Sequence, residues 1–204
     1  MMTPGNMRYP AGSTANWLNR QTGWFLKNED LPYNWTMDPT YANLVQQPDS
    51  LMNFKKAIDS IGCSLIFNLN LLTSSLHHQR AGVIHALGLN LNVSGIELGN
   101  EFYNGIANEH ADHESVFPTA KAYADTCNVW ANKLKQLLPD VKIAIVGAES
   151  NSNDNPRIRN WNSNLIASCG DDVDAVTLHH YFGSGIKYDS LKTFNADSML
   201  GEAF

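Results

Sequence analysis

Short apolar runs alternate with longer stretches of helical spacing along most of this chain. "SLIFNLNLLT" (64–73), "GIELGNE" (95–101), "VKIAIVGAE" (141–149) and "DAVTLHHYF" (174–182) have the length and near-continuous apolarity of buried strands. Each is followed by an amphipathic segment. The clearest is "FPTAKAYADTCNVWANKLKQLLP", where Ala120, Tyr123, Cys127, Trp130, Leu134 and Leu137 recur at three and four residues and Pro139 marks the stop. "DSLMNFKKAIDSIG" (49–62) predicts a helix with Asp49 as cap, Leu51, Phe54, Ile58 and Ile61 on one face, and Gly62 after its end. "HHQRAGVIHALGLN" and "PRIRNWNSNLIASCG" read as two more helices, and "DSLKTFNADSMLGEAF" as a last one running to Phe204.

Apolar strands separated by helices imply a parallel sheet covered on both faces, either an open doubly wound sheet or an eight-fold barrel. No Gly-rich phosphate loop follows any of the strands, which removes the commonest reason for the open sheet. The strand ends favour the barrel, because they are polar in succession: Arg8, Asn68 and Asn70, Asn100 and Glu101, Glu149, then His179, His180 and Tyr181. Barrel enzymes gather their chemistry at that face.

Composition narrows the picture. A net charge of −6 with no basic stripe speaks against nucleic acid as a partner. No apolar run has the length of a membrane span, and no basic-then-apolar leader opens the sequence. Cys63, Cys127 and Cys169 are odd in number and widely spaced, so they read as buried thiols and not as a disulfide framework. Abundant Asn and aromatic side chains suit a neutral polyhydroxylated ligand.

Glu101 is the leading candidate for chemistry. It ends an apolar strand beside Asn100, with Phe102 and Tyr103 to desolvate it, an environment that raises a carboxyl's pKa toward general-acid work. Glu97, four residues back, shares its face if the strand continues that far. Glycoside hydrolysis needs two carboxyls, about 5 Å apart in a retaining enzyme. Glu97, Glu149 and Glu202 are each poor partners on sequence grounds. In "NEHADHE" (108–114) the spacing of His110 and His113 fits no zinc motif, so a polar loop is expected there. His77, His78 and His85 fall on a helix, in surface or cap roles. Trp17, Trp24 and Trp35 offer stacking platforms for sugar rings or, more commonly, core packing.

"ELGNEFY" (97–103) resembles the Asn-Glu acid/base motif that closes strand four in the barrel clan (clan A) of retaining glycoside hydrolases. "MRYPAGSTANWLNRQTGWF" (7–25) is similar to the strand-two end of family 79, the heparanase and β-glucuronidase family, and "IFNLNLLT" (66–73) and "VTLHHYF" (176–182) resemble its third and sixth strand ends. The resemblance implies a partial (β/α)8 TIM barrel holding strands two to six with their helices, a single incomplete catalytic domain over residues 1–204. It implies Glu101 as acid/base, Asn100 as a substrate contact, Arg8 orienting the nucleophile, and Asn70, His180 and Tyr181 lining the nearest sugar subsite. It implies no metal or organic cofactor, a carbohydrate substrate, and an extracellular or periplasmic location. Ala11 departs from the glycine usual in the family, and Glu149 matches no family role.

The nucleophile of such enzymes ends strand seven. Adding even the shortest interval between strand ends, that from Asn70 to Glu101, to His180 overruns Phe204, and no apolar β-branched run precedes Glu202. The nucleophile, strands one, seven and eight and any C-terminal β-domain are therefore expected outside this chain, which alone should be inactive and poorly soluble through its unpaired sheet edges. Two alternatives stay open at this point: a sugar-binding barrel without catalysis, and an unrelated α/β enzyme using Glu149 with a histidine.

Overall fold

A computed structural model describes residues 5–10, 12–19, 24–25, 50–105, 113–149 and 155–179. Five parallel strands form its main sheet: β1 (Asn6–Tyr9), β4 (Ser64–Leu69), β5 (Val93–Leu98), β6 (Lys142–Gly147) and β7 (Ala175–Leu178). Strands β2 (Leu18–Asn19) and β3 (Trp24–Phe25) make a small antiparallel pair in the connection after β1. The sheet order is β1-β4-β5-β6-β7, so each new strand is laid beside the last without reversal. A doubly wound sheet must reverse its order at a switch point, whereas a barrel never does. The chain is a partial (β/α) barrel, as the strand-end pattern implies.

Helices α1 (Ser50–Ile61), α2 (Leu76–Gly88), α4 (Ala120–Lys135) and α5 (Pro156–Ile166) occupy the crossovers, with a single turn α3 (His113–Val116) before α4. Their ends follow local chemistry. Thr119 Oγ1 accepts the Ala122 N–H at 3.1 Å, Ser75 Oγ that of His78, and Asn155 Oδ1 that of Arg157 with Pro156 in the first turn. Gly62 stops α1 at φ 76°, its N–H reaching Ile58 O at 2.8 Å, as its place after the last apolar residue suggests.

The core lies between the sheet and these helices. Leu65, Phe67, Leu69, Ile96, Leu98, Ile143 and Ile145 are essentially inaccessible and pack against Val83, Ala86, Tyr123, Cys127, Ala131, Leu134 and Trp161. The stripe expected from Tyr123 to Leu134 is the buried face of α4, and burial of such a stripe is what makes the helix stable. At the amino ends of the strands Asp174 accepts from Lys135 Nζ at 2.7 Å, from Lys142 Nζ at 3.2 Å and from the Ile143 N–H at 2.8 Å. The Lys135 contact leads these in holding the Asp174 carboxyl down to about 2. That clamp fixes the register of β6 and β7 at the end opposite the polar strand termini. Cys63 and Cys127 are buried thiols as expected, and Cys169 is half-buried; all three are free.

Candidate active site

Strand β5 stops at Leu98, earlier than its apolar run suggests, because the chain turns at Gly99. Gly99 has φ 88°, and Glu101 itself sits in the left-handed region at φ 52°, ψ 38°. Left-handed geometry is uncommon for a non-glycine residue and persists where the surroundings enforce it. The surroundings here are specific. Phe102, first residue of a 3-10 turn (Phe102–Asn104), is fully buried against Phe117, Tyr123 and His113, at centroid distances of 4.6, 5.3 and 5.0 Å. Arg157 on α5 donates to the carbonyls of Phe102, Tyr103, Phe117 and Pro118 and stacks over Trp161. Tyr123 donates its hydroxyl proton to Leu98 O and accepts the Val146 N–H at 3.0 Å, serving the backbone where β5 and β6 part. The end of β5 and the turn that follows it are thus clamped from two helices.

Glu97 and Glu101 no longer lie on one continuous strand, yet their carboxylates meet the same imidazole. His179 Nδ1 is 3.0 Å from Glu101 Oε1, and His179 Nε2 is 3.0 Å from Glu97 Oε1. Glu97 is all but inaccessible and receives four donors. Its Oε1 accepts from Thr177 Oγ1 at 2.6 Å and from His179; its Oε2 accepts from Asn68 Nδ2 at 2.9 Å and from Arg8 Nε. Four donors saturate a carboxylate. Arg8 turns its Nη2 to Asn100 Oδ1 at 3.0 Å, and Asn16 Nδ2 donates to the Asn100 carbonyl at 3.2 Å. Asn100 is buried, and its Nδ2 has no partner among the described residues.

Charge follows from this arrangement. Burial alone would raise the Glu97 carboxyl, but the His179 hydrogen bond, the Arg8 charge and the Thr177 hydroxyl together hold it at about 2. Burial would likewise discharge His179, but hydrogen bonds to Glu101 and Glu97 and the Glu97 charge lift it to about 9. At neutral pH the imidazole is therefore cationic and donates from both nitrogens. Its folded value lies above the ordinary 6.5, so its contribution to stability is complete below pH 6.5 and is lost as pH rises through about 9. Glu97 lies below its ordinary 4.5, so its contribution is complete above pH 4.5 and is lost as pH falls through about 2. The thermal unfolding midpoint should accordingly be highest between pH 4.5 and 6.5 and decline on both sides. A midpoint unchanged between pH 6.5 and 9.5 would contradict the charged imidazole.

The other sequence candidates fare differently. Asn70 is fully buried, and its side chain is spent on the loop after β4 and on β2: Nδ2 donates to Thr73 Oγ1 at 2.7 Å and to Leu18 O at 3.3 Å, while Oδ1 accepts the N–H groups of Leu72 and Thr73. It orders that loop, and no donor or acceptor remains for a sugar. His180 and Tyr181 lie outside the described residues, as do Ala11, Trp35, His110 and Glu202. The histidine that the structure places on Glu101 is His179. A signal for it exists in the sequence: polar Thr177 and His179 alternate with apolar Val176 and Leu178, so these two share a face. Arg8 meets Glu97 and Asn100. Glu149 is exposed after β6. His113 is buried against Phe102, His77, His78 and His85 are exposed, and Trp17 is in the core. Among the described residues no cluster could hold a metal ion, and no helix is long and apolar enough to cross a membrane.

No protein-family model matches the chain, and no curated protein matches it. Solved structures do. The thermostable GH51 α-L-arabinofuranosidase of Thermotoga petrophila RKU-1 superposes with a TM-score of 0.63 at 21% identity, over 98% of this chain and 41% of that one. The α-L-arabinofuranosidase of Thermotoga maritima, solved with arabinose, gives 0.63 at 21%, over 97% and 40%. A family 51 α-L-arabinofuranosidase from Bifidobacterium longum gives 0.65 at 16%, over 96% and 38%. The chain spans about two fifths of the length of these structures. Two of them are described as family 51, not family 79. At such identities the likeness is one of fold: this chain has the strand and helix arrangement of part of those enzymes.

Proposed function

We propose that the chain carries the acid/base half of a retaining glycoside hydrolase of the barrel clan, cleaving O-glycosidic bonds in a polysaccharide or glycoconjugate. One observation carries the reading: a nearly buried glutamate, Glu101, is held in left-handed geometry at the carboxyl end of a barrel strand, its carboxylate directed by a hydrogen bond from His179. Glu101 is the general acid that protonates the leaving oxygen and then, as a carboxylate, the base that activates water. Asn100 is its neighbouring substrate contact, and the buried, unpartnered Nδ2 supports that assignment because such a donor is costly unless a ligand or water meets it. Arg8, anchored by Glu97, would present its remaining donors toward the nucleophile's strand.

In this reading the nucleophile belongs to none of the described residues. A location outside the cytoplasm belongs to the same proposal. The likeness in fold to proteins described as α-L-arabinofuranosidases supports a glycosidase of the clan; it gives family 79 no support.

The test is turnover of a panel of aryl glycosides, an α-L-arabinofuranoside and a β-glucuronide among them. The whole protein should hydrolyse at least one, and the isolated 204 residues none. Turnover by the isolated chain would remove the divided site. Sugar binding by the whole protein with no hydrolysis of any substrate would favour the sugar-binding barrel instead.

A further inference from the structure

The group used most heavily in this site is not the proposed acid but the carboxylate behind it. Glu97 is inaccessible and cannot touch a substrate, yet it gathers four donors from three strands: Arg8 on β1, Asn68 on β4, Thr177 on β7 and His179 just beyond β7. A carboxylate serving only to balance Arg8 would need no histidine. The imidazole is instead suspended between two carboxylates, one sealed and one at the lip of the barrel. Resting on the reading of Glu101 as acid/base, we propose that Glu97 is a positioning residue: it keeps the Nε2 proton of His179 on its own side and so makes Nδ1 the nitrogen that shares a proton with Glu101.

In one form His179 is an imidazolium, donating Nε2–H to Glu97 and Nδ1–H to the Glu101 carboxylate. In the other the Nδ1–H bond has broken and an O–H bond has formed at Glu101 Oε1, leaving a neutral imidazole that still donates Nε2–H to Glu97. Both forms hold the same number of protons, so the site is charged with its acid proton without exchange with solvent. Glu97 decides which nitrogen gives way, because a carboxylate saturated by Arg8, Asn68 and Thr177 remains ionised when Glu101 takes the proton. Among the described residues, the charged and titratable groups facing the pair are Arg8 from β1, Glu101 from the turn after β5 and the Tyr123 hydroxyl from α4; burial first, and of these groups Arg8, oppose the charge on His179.

The experiment is 15N NMR of the histidine ring nitrogens across a pH titration, on wild type and on Glu97→Gln and Glu97→Asp, with pH–rate profiles of the whole protein alongside. Wild-type His179 should titrate at about 9 and retain Nε2–H above that midpoint. Glu97→Gln should move the midpoint toward the ordinary histidine value of about 6.5, lower kcat about 10- to 100-fold with little change in KM, and draw in the alkaline limb of the profile. Glu97→Asp should restore part of both. An unchanged His179 midpoint in both variants, or retention of the proton at Nδ1 in the wild type, would overturn the inference. A shifted midpoint in a protein that hydrolyses no glycoside would uphold Glu97's role toward His179 and overturn the glycosidase reading alone.

Discussion

Glu101→Gln in the whole protein is expected to lower turnover of an alkyl glycoside about 10²- to 10⁴-fold, the usual worth of a placed general acid. Glutamine keeps the shape and can still accept from His179 Nδ1, so the 3.0 Å contact that directs the side chain survives. What vanishes is the transferable proton. The loss should therefore depend on the leaving group: an aryl glycoside whose phenolate departs unaided should lose less than an alkyl one. Sugar affinity should persist, since Asn100 and Arg8 are untouched. Equal activity of mutant and wild type on both substrates would sink Glu101 as the acid and return the site to a binding or structural role.

Gly99→Ala is expected to cost about 3 kcal/mol or more of stability and to displace Glu101 with it. Two independent penalties combine. At φ 88° an alanine carries the left-handed penalty of about 1–2 kcal/mol. Its Cβ would also stand 2.1 Å from Phe102 Cε2 and 2.7 Å from Cζ, and overpacking of this kind costs about 1–3 kcal/mol. Phe102 has no free direction in which to yield, being enclosed by Phe117, Tyr123 and His113. Since marginal domains hold only about 5–15 kcal/mol in total, urea unfolding of the mutant should begin at clearly lower concentration. An unaltered urea midpoint would mean that the turn after β5 is looser than described.

Among the described residues the strand and helix sequence was legible from 50 to 179, because full burial makes a strand a short continuous apolar run and gives a helix apolar residues at a period of about 3.6, and both signals are local. Tyr123, Cys127, Trp130 and Leu134 fall on the buried face for that reason. Placement of Glu101 at a strand end was legible too, since an apolar run that breaks at Gly-Asn-Glu marks where the chain leaves the sheet. The length of β5 was less so: the apolar run continues to the edge of the motif, but the positive φ at Gly99 turns the backbone first.

The partners of these residues were a different matter. Glu97 read as a weak candidate for a second carboxylate, and in the fold it is a sealed counter-ion for Arg8 and His179. Asn70 read as a sugar contact, and every hydrogen-bonding site on its amide is taken by the loop beside it or by the Leu18 carbonyl of β2. His179 and His180 differ by one residue, and the strand's alternation already grouped His179 with Thr177. That alternation says nothing of what lies across the sheet. Sequence by itself determined the order of strands and helices, the parallel class of the sheet and the place of the Glu101 carboxylate after a strand end, because each is written in short-range pattern. Tertiary structure alone decided that Arg8, Asn68, Glu97, Thr177 and His179 share one network, because that depends on lateral register between strands up to about 170 residues apart in the chain, in which no residue's immediate neighbours take part.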